Sequence, residues 1–212
     1  MFNYNQKTEV NISFKMLDLF RTLKADKTIK ADASNVVEAK LSNTVSPAKT
    51  NLEASETVKE IYVIDIVLNS SKVPNLFIDA FNRYIEFQTL FRLHYKDEVK
   101  YITSIKTFSE EKMKVLKTFE SEWKKQEKIA FPITTKLEIV FKEMLKYVVG
   151  YSFKPEETFQ GFVQRLDIIK KLKVEIEKLT KTMNAEKQPN LRMAMNAKLK
   201  QIKKELQEME EL

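Results

Sequence analysis

The stretch Ile61-Tyr-Val-Ile-Asp-Ile-Val-Leu68 decides the fold class. It is dense in β-branched residues, and Asp65 is its only charged residue, so it predicts a buried β-strand. A polar turn follows, and Pro74 is well placed to open a helix. The apolar residues of segment 76–85 then fall on one helical face, which predicts an amphipathic helix packed against the strand.

Further strands and a second helix are predicted downstream of this helix. Thr89–Tyr95 and Val99–Ile105 flank a short polar turn, a pattern typical of a β-hairpin. Segment 114–123 predicts another strand. A helix running to Val149 is expected to be capped by Thr134 or Thr135, and Glu138 gives a capping-box pattern from Thr135. The order of elements therefore predicts an α+β domain over residues 1–150, with a small, mainly antiparallel sheet and packed helices.

Upstream of the central strand the pattern predicts helices. Apolar residues recur at near-helical spacing over 12–24, and a second short helix is expected from about Ala31 to Lys40. Segment 42–55 is rich in Ser, Thr, Asn and Pro and predicts loop or edge structure.

The apolar spacing changes beyond Gly150 and Gly161, where apolar residues alternate three and four positions apart. Pro189 interrupts this pattern, which then resumes from Met195. Two heptad-like helices separated by a break predict an antiparallel coiled-coil helical hairpin over residues 155–212.

Composition excludes several classes of functional site. The 212 residues include no Cys, one His (His94) and two Gly, so disulfides, multi-histidine metal sites and glycine-rich phosphate loops are excluded. We therefore expect no catalytic centre in this chain alone, no metal and no cofactor. No apolar run approaches the ~20 residues that a transmembrane helix needs, so we expect a cytoplasmic protein without a membrane contact.

A metal-dependent nuclease is the alternative hypothesis. Such enzymes use acidic metal ligands with a Lys that stabilises charge, and here Asp65 together with Glu122-Trp-Lys124 supplies those residue types. Asp65 also has two simpler interpretations: it lies on the solvent face of its strand, or it forms an ion pair with Arg83 or Arg92.

Positive charge is concentrated in one segment. The chain has a net charge of +7, and residues 162–204 alone carry 12 basic and 4 acidic side chains. This excess has two interpretations: a solvated helix face, which is the commoner structure for such runs, or a surface that contacts the phosphates of DNA or RNA without sequence preference. The candidate lysines are Lys170, Lys171, Lys173, Lys198, Lys200, Lys203 and Lys204.

The break between the two tail helices is a candidate partner-binding site. Asn190 and Asn196 lie near it, and these amides either cap helix ends or recognise a partner. Leu191 and Met193 lie off the main apolar seam and leave an apolar edge. Such an edge suits a helix of a larger protein or a second copy of the chain.

Motifs in both regions resemble a bacterial family, the domain-of-unknown-function family 4391. They are Val58-Lys-Glu-Ile-Tyr-Val-Ile-Asp-Ile-Val-Leu68, Phe77-Ile-Asp-Ala-Phe81, Leu90-Phe-Arg-Leu93, Tyr101-Ile-Thr-Ser-Ile-Lys106, Glu120-Ser-Glu-Trp123, Ala185-Glu-Lys-Gln-Pro-Asn190 and Leu199-Lys-Gln-Ile-Lys-Lys-Glu-Leu206. Val37 and Pro189 stand where the family pattern has a Trp and another aromatic residue. The resemblance implies no settled activity. It implies a companion of helicases and DNA methyltransferases in restriction or phage-defence gene clusters, and hence a helicase- or methyltransferase-like partner.

Overall fold

The computed structural model describes residues 2–108 and 113–211. Residues 1, 109–112 and 212, which the domain ranges expected from the sequence include, lie outside the described residues. The chain divides after Gly150 into two compact units, and each is considered by itself.

The first unit is built on a β-sheet that has seven strands within the described residues. The strands β1 to β6 lie side by side in chain order, and β7 pairs with β5. Every neighbouring pair is antiparallel except β3 and β4, which confirms the predicted α+β fold with a mainly antiparallel sheet. The strands are β1 (Glu9–Phe14), β2 (Val36–Val45), β3 (Ile61–Leu68), β4 (Gln88–Tyr95), β5 (Glu98–Phe108), β6 (Met113–Glu120) and β7 (Lys124–Lys125).

Helices fill the connections of this unit. They are α1 (Met16–Thr22), α2 (Lys27–Asp32), α3 (Pro47–Thr50), α4 (Asn75–Tyr84) and α5 (Leu137–Val149). Helix α4 follows Pro74, as predicted, and connects β3 to β4. Because α4 carries the chain back along the sheet, β3 and β4 run parallel, whereas a tight turn makes β4 and β5 antiparallel.

The main core lies on the face of the sheet that α1 and α4 cover. Ile64 of β3 and Phe91 of β4 are fully buried there, and Phe77 and Phe81 of α4 pack against them. The rings of Phe81 and Phe91 are 5.7 Å apart. Burial of each such side chain contributes about 1.5–3 kcal/mol, so this face carries much of the stability of the unit.

Asp65 of β3 points to the opposite face, because side chains alternate along a strand. Its register partner on β4 is Arg92, and the partner of Arg92 on β5 is Tyr101. Helix α5 covers part of this second face, where the ring of its Tyr147 lies 5.3 Å from that of Tyr101. Asp65, Arg92 and Tyr101 are therefore on this face.

Two predictions for the N-terminal region were wrong. The segment Ala31–Lys40 is not a helix, since α2 ends at Asp32 and Val36–Val45 forms β2. Strand β2 pairs with β1 on one side and β3 on the other, and these two ladders outweigh the helix propensity of its Glu and Lys. The predicted helix over 12–24 starts only at Met16, because Glu9–Phe14 pairs with β2 as a strand.

Two boundaries also differ from the prediction. The segment 42–55 begins as the last part of β2 and continues into α3, so only part of it is loop. Helix α5 has Lys136 rather than Thr135 as its N-cap residue. The backbone N–H of Glu53 donates to the carbonyl of Thr135 at 2.7 Å, and Glu53 forms an isolated parallel β-bridge with Lys136, so extended pairing continues up to the N-cap residue.

The second unit is the predicted helical hairpin, formed by α6 (Phe159–Ala185) and α7 (Pro189–Glu210). Pro189 lies in the first turn of α7, so the break falls where the sequence placed it. The helices are antiparallel, and their apolar seam includes the buried side chains of Leu172, Leu199 and Ile202. Within the described residues, no helix has both the length and the apolar composition needed to cross a membrane.

Candidate functional site: a buried arginine and a basic hairpin

Asp65, Arg92 and His94 form a hydrogen-bonded group on the second face of the sheet. The parallel register of β3 and β4 places Arg92 directly beside Asp65 and puts His94 two residues further along. Arg92 donates from Nε to Asp65 Oδ1 at 2.6 Å and from Nη2 to Oδ2 at 2.7 Å. His94 Nε2 lies 2.9 Å from Oδ1. The Arg92 side chain is 2% exposed and that of Asp65 is 15% exposed, so the pair is almost removed from water.

The electrostatics keep Asp65 ionised. Burial by itself raises the pKa of this carboxyl, but the hydrogen bonds from His94 and Arg92 and the charge of Arg92 outweigh burial and lower the pKa to about 2. Because an ionised carboxylate only accepts hydrogen bonds, His94 Nε2 carries the proton of their contact. Both oxygens of Asp65 are thus occupied, which leaves this carboxylate poorly placed to act as a base or to bind a metal ion.

Arg92 has further contacts that fix its orientation. Its Nη2 donates to Ser42 Oγ at 3.0 Å, and Ser42 Oγ donates in turn to the carbonyl of Val63. Its Cζ lies 5.9 Å from the centre of the Tyr4 ring. The remaining nitrogen, Nη1, is buried and has no hydrogen-bond partner among the described residues, and the same is true of the Tyr4 hydroxyl. Burial raises the pKa of Tyr4, so this hydroxyl remains protonated.

An open cavity of about 540 Å³ lies against this group, and we call it the Arg92 cleft. Its rim consists of exposed side chains that include Glu9, Glu127 and Lys128. A smaller cavity of about 250 Å³ adjoins Asp65 and His94, and Lys40 lines both cavities. The buried and half-buried polar residues of the cleft form its floor, and they are Tyr4, Lys40, Ser42, Asn43, Asp65 and Arg92.

The three residues of the nuclease hypothesis are not brought into contact. Glu122 is exposed, and Lys124 lies in β7 with its Nζ 3.5 Å from the centre of the Tyr147 ring. Tyr101 stands between Asp65 and Lys124, and no hydrogen bond or ion pair links any two of the three candidates. Among the described residues, no group of three or more Asp, Glu or His side chains is placed to hold a metal ion.

All seven candidate lysines of the hairpin are exposed, but they differ in their partners. Lys173 pairs with Glu210 at 2.7 Å, Lys198 pairs with Glu175 at 2.8 Å, and Lys204 lies 3.8 Å from Glu208. The remaining four form no ion pair within the described part of the chain, and they are Lys170, Lys171, Lys200 and Lys203. These four share this property with Lys178, Lys181, Lys187 and Arg192, which are also exposed and form no ion pair among the described residues.

The candidate partner residues lie together in the first turns of α7. Asn190, Leu191, Met193 and Asn196 are all exposed, and Met193 is 72% exposed. Met193 and Asn196 line a shallow cavity of about 420 Å³. The N-cap residue Gln188 makes no side-chain cap hydrogen bond. The exposed amides and apolar side chains of this tip thus remain available for contact.

Residues 6–206 match the model of a protein family described as Domain of unknown function (DUF4391). The chain belongs to this family. No curated protein and no solved structure matches the chain.

The residues that form the floor of the Arg92 cleft were not predicted as a group from the sequence of this DUF4391 chain. Arg92 was expected only as one of two partners for Asp65, and Lys40 was placed in a helix that does not exist. The available signal was an arginine inside the otherwise apolar Leu90-Phe-Arg-Leu93. A charged residue in such a strand requires a buried partner, and Asp65 interrupts the preceding strand in the same way.

Arg165 is a second buried arginine whose contacts the sequence pattern did not predict. It occupies a seam position of α6, yet it is a charge that is only 7% exposed. Its Nε and Nη2 donate to the two carboxylate oxygens of Glu157 at 2.7 and 2.8 Å, and Nη2 also donates to the Ser152 carbonyl. Nη1 donates to the Met209 carbonyl at 3.1 Å. Arg165 thus ties the base of the hairpin together, which is a structural role.

Proposed function

We propose that this DUF4391 protein is a cytoplasmic, non-catalytic interaction subunit whose helical hairpin docks onto a protein partner and contacts nucleic-acid phosphates. The observation that carries the proposal is the display of charge on the hairpin. Residues 162–204 hold 12 basic and 4 acidic side chains, and four of the seven candidate lysines have no acidic partner among the described residues. A localised excess of this kind attracts a polyanion more strongly than scattered charge.

The chemistry of the hairpin favours phosphates over bases. Lysine is a compact point charge that neutralises a phosphate without reading sequence, whereas base edges are read mainly by Arg, Asn and Gln. Lys170 and Lys171 lie on α6, and Lys200 and Lys203 lie on α7. We therefore expect binding to DNA or RNA of any sequence, with an affinity that falls steeply as salt rises.

The tip of the hairpin supports the protein-docking part of the proposal. Leu191 and Met193 are exposed apolar side chains beside the amides of Asn190 and Asn196. An apolar anchor with a polar rim is the usual composition of a protein interface. The family resemblance is our ground for proposing a helicase- or methyltransferase-like partner in a restriction or phage-defence system. A second copy of this chain is the other occupant to be tested.

A metal-dependent nuclease on Asp65, Glu122 and Lys124 is the less favoured alternative. It would require Asp65 to release both Arg92 and His94, and Glu122 to approach from the solvent. Incubation of plasmid with the pure protein and Mg²⁺ or Mn²⁺ tests it. Cleavage that disappears in Asp65→Ala and in Glu122→Ala would overturn the non-catalytic proposal.

The phosphate contact is tested by fluorescence anisotropy with labelled duplexes of two unrelated sequences. The variant reverses Lys170, Lys171, Lys200 and Lys203 to Glu. The matched control reverses four exposed lysines of the first unit, Lys27, Lys30, Lys59 and Lys72, and so makes the same change in net charge. The hairpin variant should lose affinity for both duplexes, and its log–log salt slope should fall by about 0.9 for each lost phosphate contact.

Equal losses in the two variants would show a net-charge effect and would contradict a hairpin site. Unchanged DNA affinity in both would leave protein docking as the function of the hairpin. That part is tested by Leu191→Asp with Met193→Asp, which should release a protein that copurifies with the chain from its native host. Retention of that protein would contradict docking through the tip.

A further inference from the structure

The Arg92 cleft combines a fixed cation, an unused donor and an open volume. The guanidinium of Arg92 is held by three hydrogen bonds to Asp65 and Ser42, so its position does not depend on any ligand. Its Nη1 nonetheless has no partner among the described residues. A buried donor without an acceptor is unfavourable, and native structures retain such groups mainly where water, an ion or a ligand completes them.

The charges of the floor favour an anion. Asp65 and Arg92 neutralise each other, and Lys40 adds a positive charge directly beside them, because Lys40 is the register partner of Asp65 on β2. Lys40 is half-buried and forms no ion pair within the described residues. The carboxylates of Glu9 and Glu127 are exposed at the rim, where solvent and salt screen them more strongly than charges on the floor.

We infer that the Arg92 cleft binds a small molecule through a carboxylate or phosphate group that accepts hydrogen bonds from Lys40 and Arg92. An anionic oxygen satisfies the unused Nη1 donors and neutralises Lys40 in one position, which no neutral group does. The volume of about 540 Å³ is within the range of small-molecule sites, and it admits ligands up to the size of a mononucleotide.

Tyr4 determines access to Nη1. Its ring lies over the guanidinium, and both Nη1 and the Tyr4 hydroxyl are shielded from solvent. The ligand therefore displaces the Tyr4 side chain as it enters, after which the phenol hydroxyl also gains a possible partner. Ser42 and Asn43 line the same floor, so the NMR signals of their backbone amides would report on occupancy.

The inference is tested on the full chain by isothermal titration calorimetry. The probes are inorganic phosphate, AMP and succinate, with adenosine as the neutral counterpart of AMP. At least one anionic probe should bind one to one with a Kd below about 1 mM, while adenosine should not bind. A preference for phosphate and AMP, or for succinate, identifies which anionic group the cleft takes.

Variants and NMR locate the site. Lys40→Gln should weaken binding about 10-fold, and Arg92→Lys should do the same because it keeps a charge beside Asp65 but removes Nη1. Lys59→Gln, which changes an exposed lysine outside the cleft, should bind as the wild type. The backbone amides of Ser42 and Asn43 should shift on addition of the probe, and those of Lys170 and Lys200 should not.

The inference would be overturned if no anionic probe binds, if adenosine binds as well as AMP, or if Lys40→Gln binds as the wild type. Amide shifts confined to the hairpin would also overturn it, because they would indicate non-specific attraction to exposed lysines. If Arg92→Lys does not fold, Lys40→Gln decides the matter, since Lys40 has no ion pair to lose among the described residues.

Discussion

Asp65 is an ionised carboxylate inside the sheet, and its removal leaves Arg92 as an unpaired buried charge. Breaking a buried ion pair from one side costs about 3–5 kcal/mol, whereas exposed pairs contribute little. We expect Asp65→Asn to lower the free energy of unfolding at pH 7 by about 3 kcal/mol, as measured by urea denaturation. Asp18→Asn is the control, because the Asp18–Arg21 pair is exposed. Equal effects of the two substitutions would contradict a buried ion pair.

The same pair predicts a pH dependence. The pKa of Asp65 falls from 3.8 to about 2 on folding, so its contribution is fully present above about pH 4 and is lost as the pH falls through 2. The stability difference between wild type and Asp65→Asn should therefore narrow by about 2 kcal/mol between pH 4 and pH 2. Denaturation curves at pH 7, 4 and 2 measure it. A difference that stays constant over this range would show that Asp65 does not titrate at low pH.

Arg165 offers a second test at the scale of one residue. A guanidinium reaches both oxygens of Glu157 and two backbone carbonyls at once, and an ammonium does not have this geometry. We expect Arg165→Lys to destabilise the base of the hairpin by about 2 kcal/mol. Amide hydrogen exchange should accelerate over residues 205–210 of α7. Arg192→Lys, an exposed change at the other end of the hairpin, should leave those rates unchanged.

At the scale of elements, the sequence predicts those parts of the fold in which local pattern and tertiary structure agree. The strand Ile61–Leu68, the helix after Pro74 and the two tail helices all follow from apolar spacing and turn residues. Strand β2 was missed because Glu38 and Lys40 favour a helix locally, while hydrogen bonding to β1 and β3 decides its structure. Pairing with distant segments is not visible in a local window.

The candidate site was predictable to a smaller extent for the same reason. Asp65 is conspicuous in an apolar strand, but its partner depends on the register between β3 and β4, which the crossover through α4 sets. Lys40 reaches the cleft only because β2 lies on the other side of β3. The lysines of the hairpin could be predicted from the sequence, because the spacing of the apolar seam indicates which side chains of the two helices are exposed.

The hairpin seam gives a prediction at the scale of an element. Leu199 of α7 and Leu172 of α6 are both less than 10% exposed, and deletion of a buried leucine side chain costs about 2–5 kcal/mol. Leu199→Ala should lower the thermal midpoint of the hairpin, followed by circular dichroism at 222 nm. Leu191→Ala is the matched control, because that leucine is 45% exposed. Equal thermal midpoints in the two variants would show that the buried seam is not the source of the stability of the hairpin.

At the scale of the whole molecule, the proposed binding residues belong to two different units. The cleft uses Lys40 and Arg92 of the first unit, and the phosphate contact uses lysines of the hairpin. The two proposed surfaces carry positive charge in different forms: the cleft holds a fixed, desolvated guanidinium, and the hairpin presents exposed, hydrated ammonium groups. Salt should therefore weaken the hairpin contact more than the cleft contact, because screening acts mainly on exposed charge.

This division predicts that the two bindings are separable by mutation. Reversal of Lys170, Lys171, Lys200 and Lys203 should abolish duplex binding and leave the affinity of the cleft for its anionic probe within about 2-fold, because no residue is shared. Lys40→Gln should weaken binding of the anionic probe to the cleft and leave duplex binding unchanged. Anisotropy with a labelled duplex and calorimetry with AMP or phosphate, run on both variants at the same salt concentration, complete the comparison. Loss of both activities in either variant would mean that the two anions compete for one surface, and the assignment of separate sites would then be wrong.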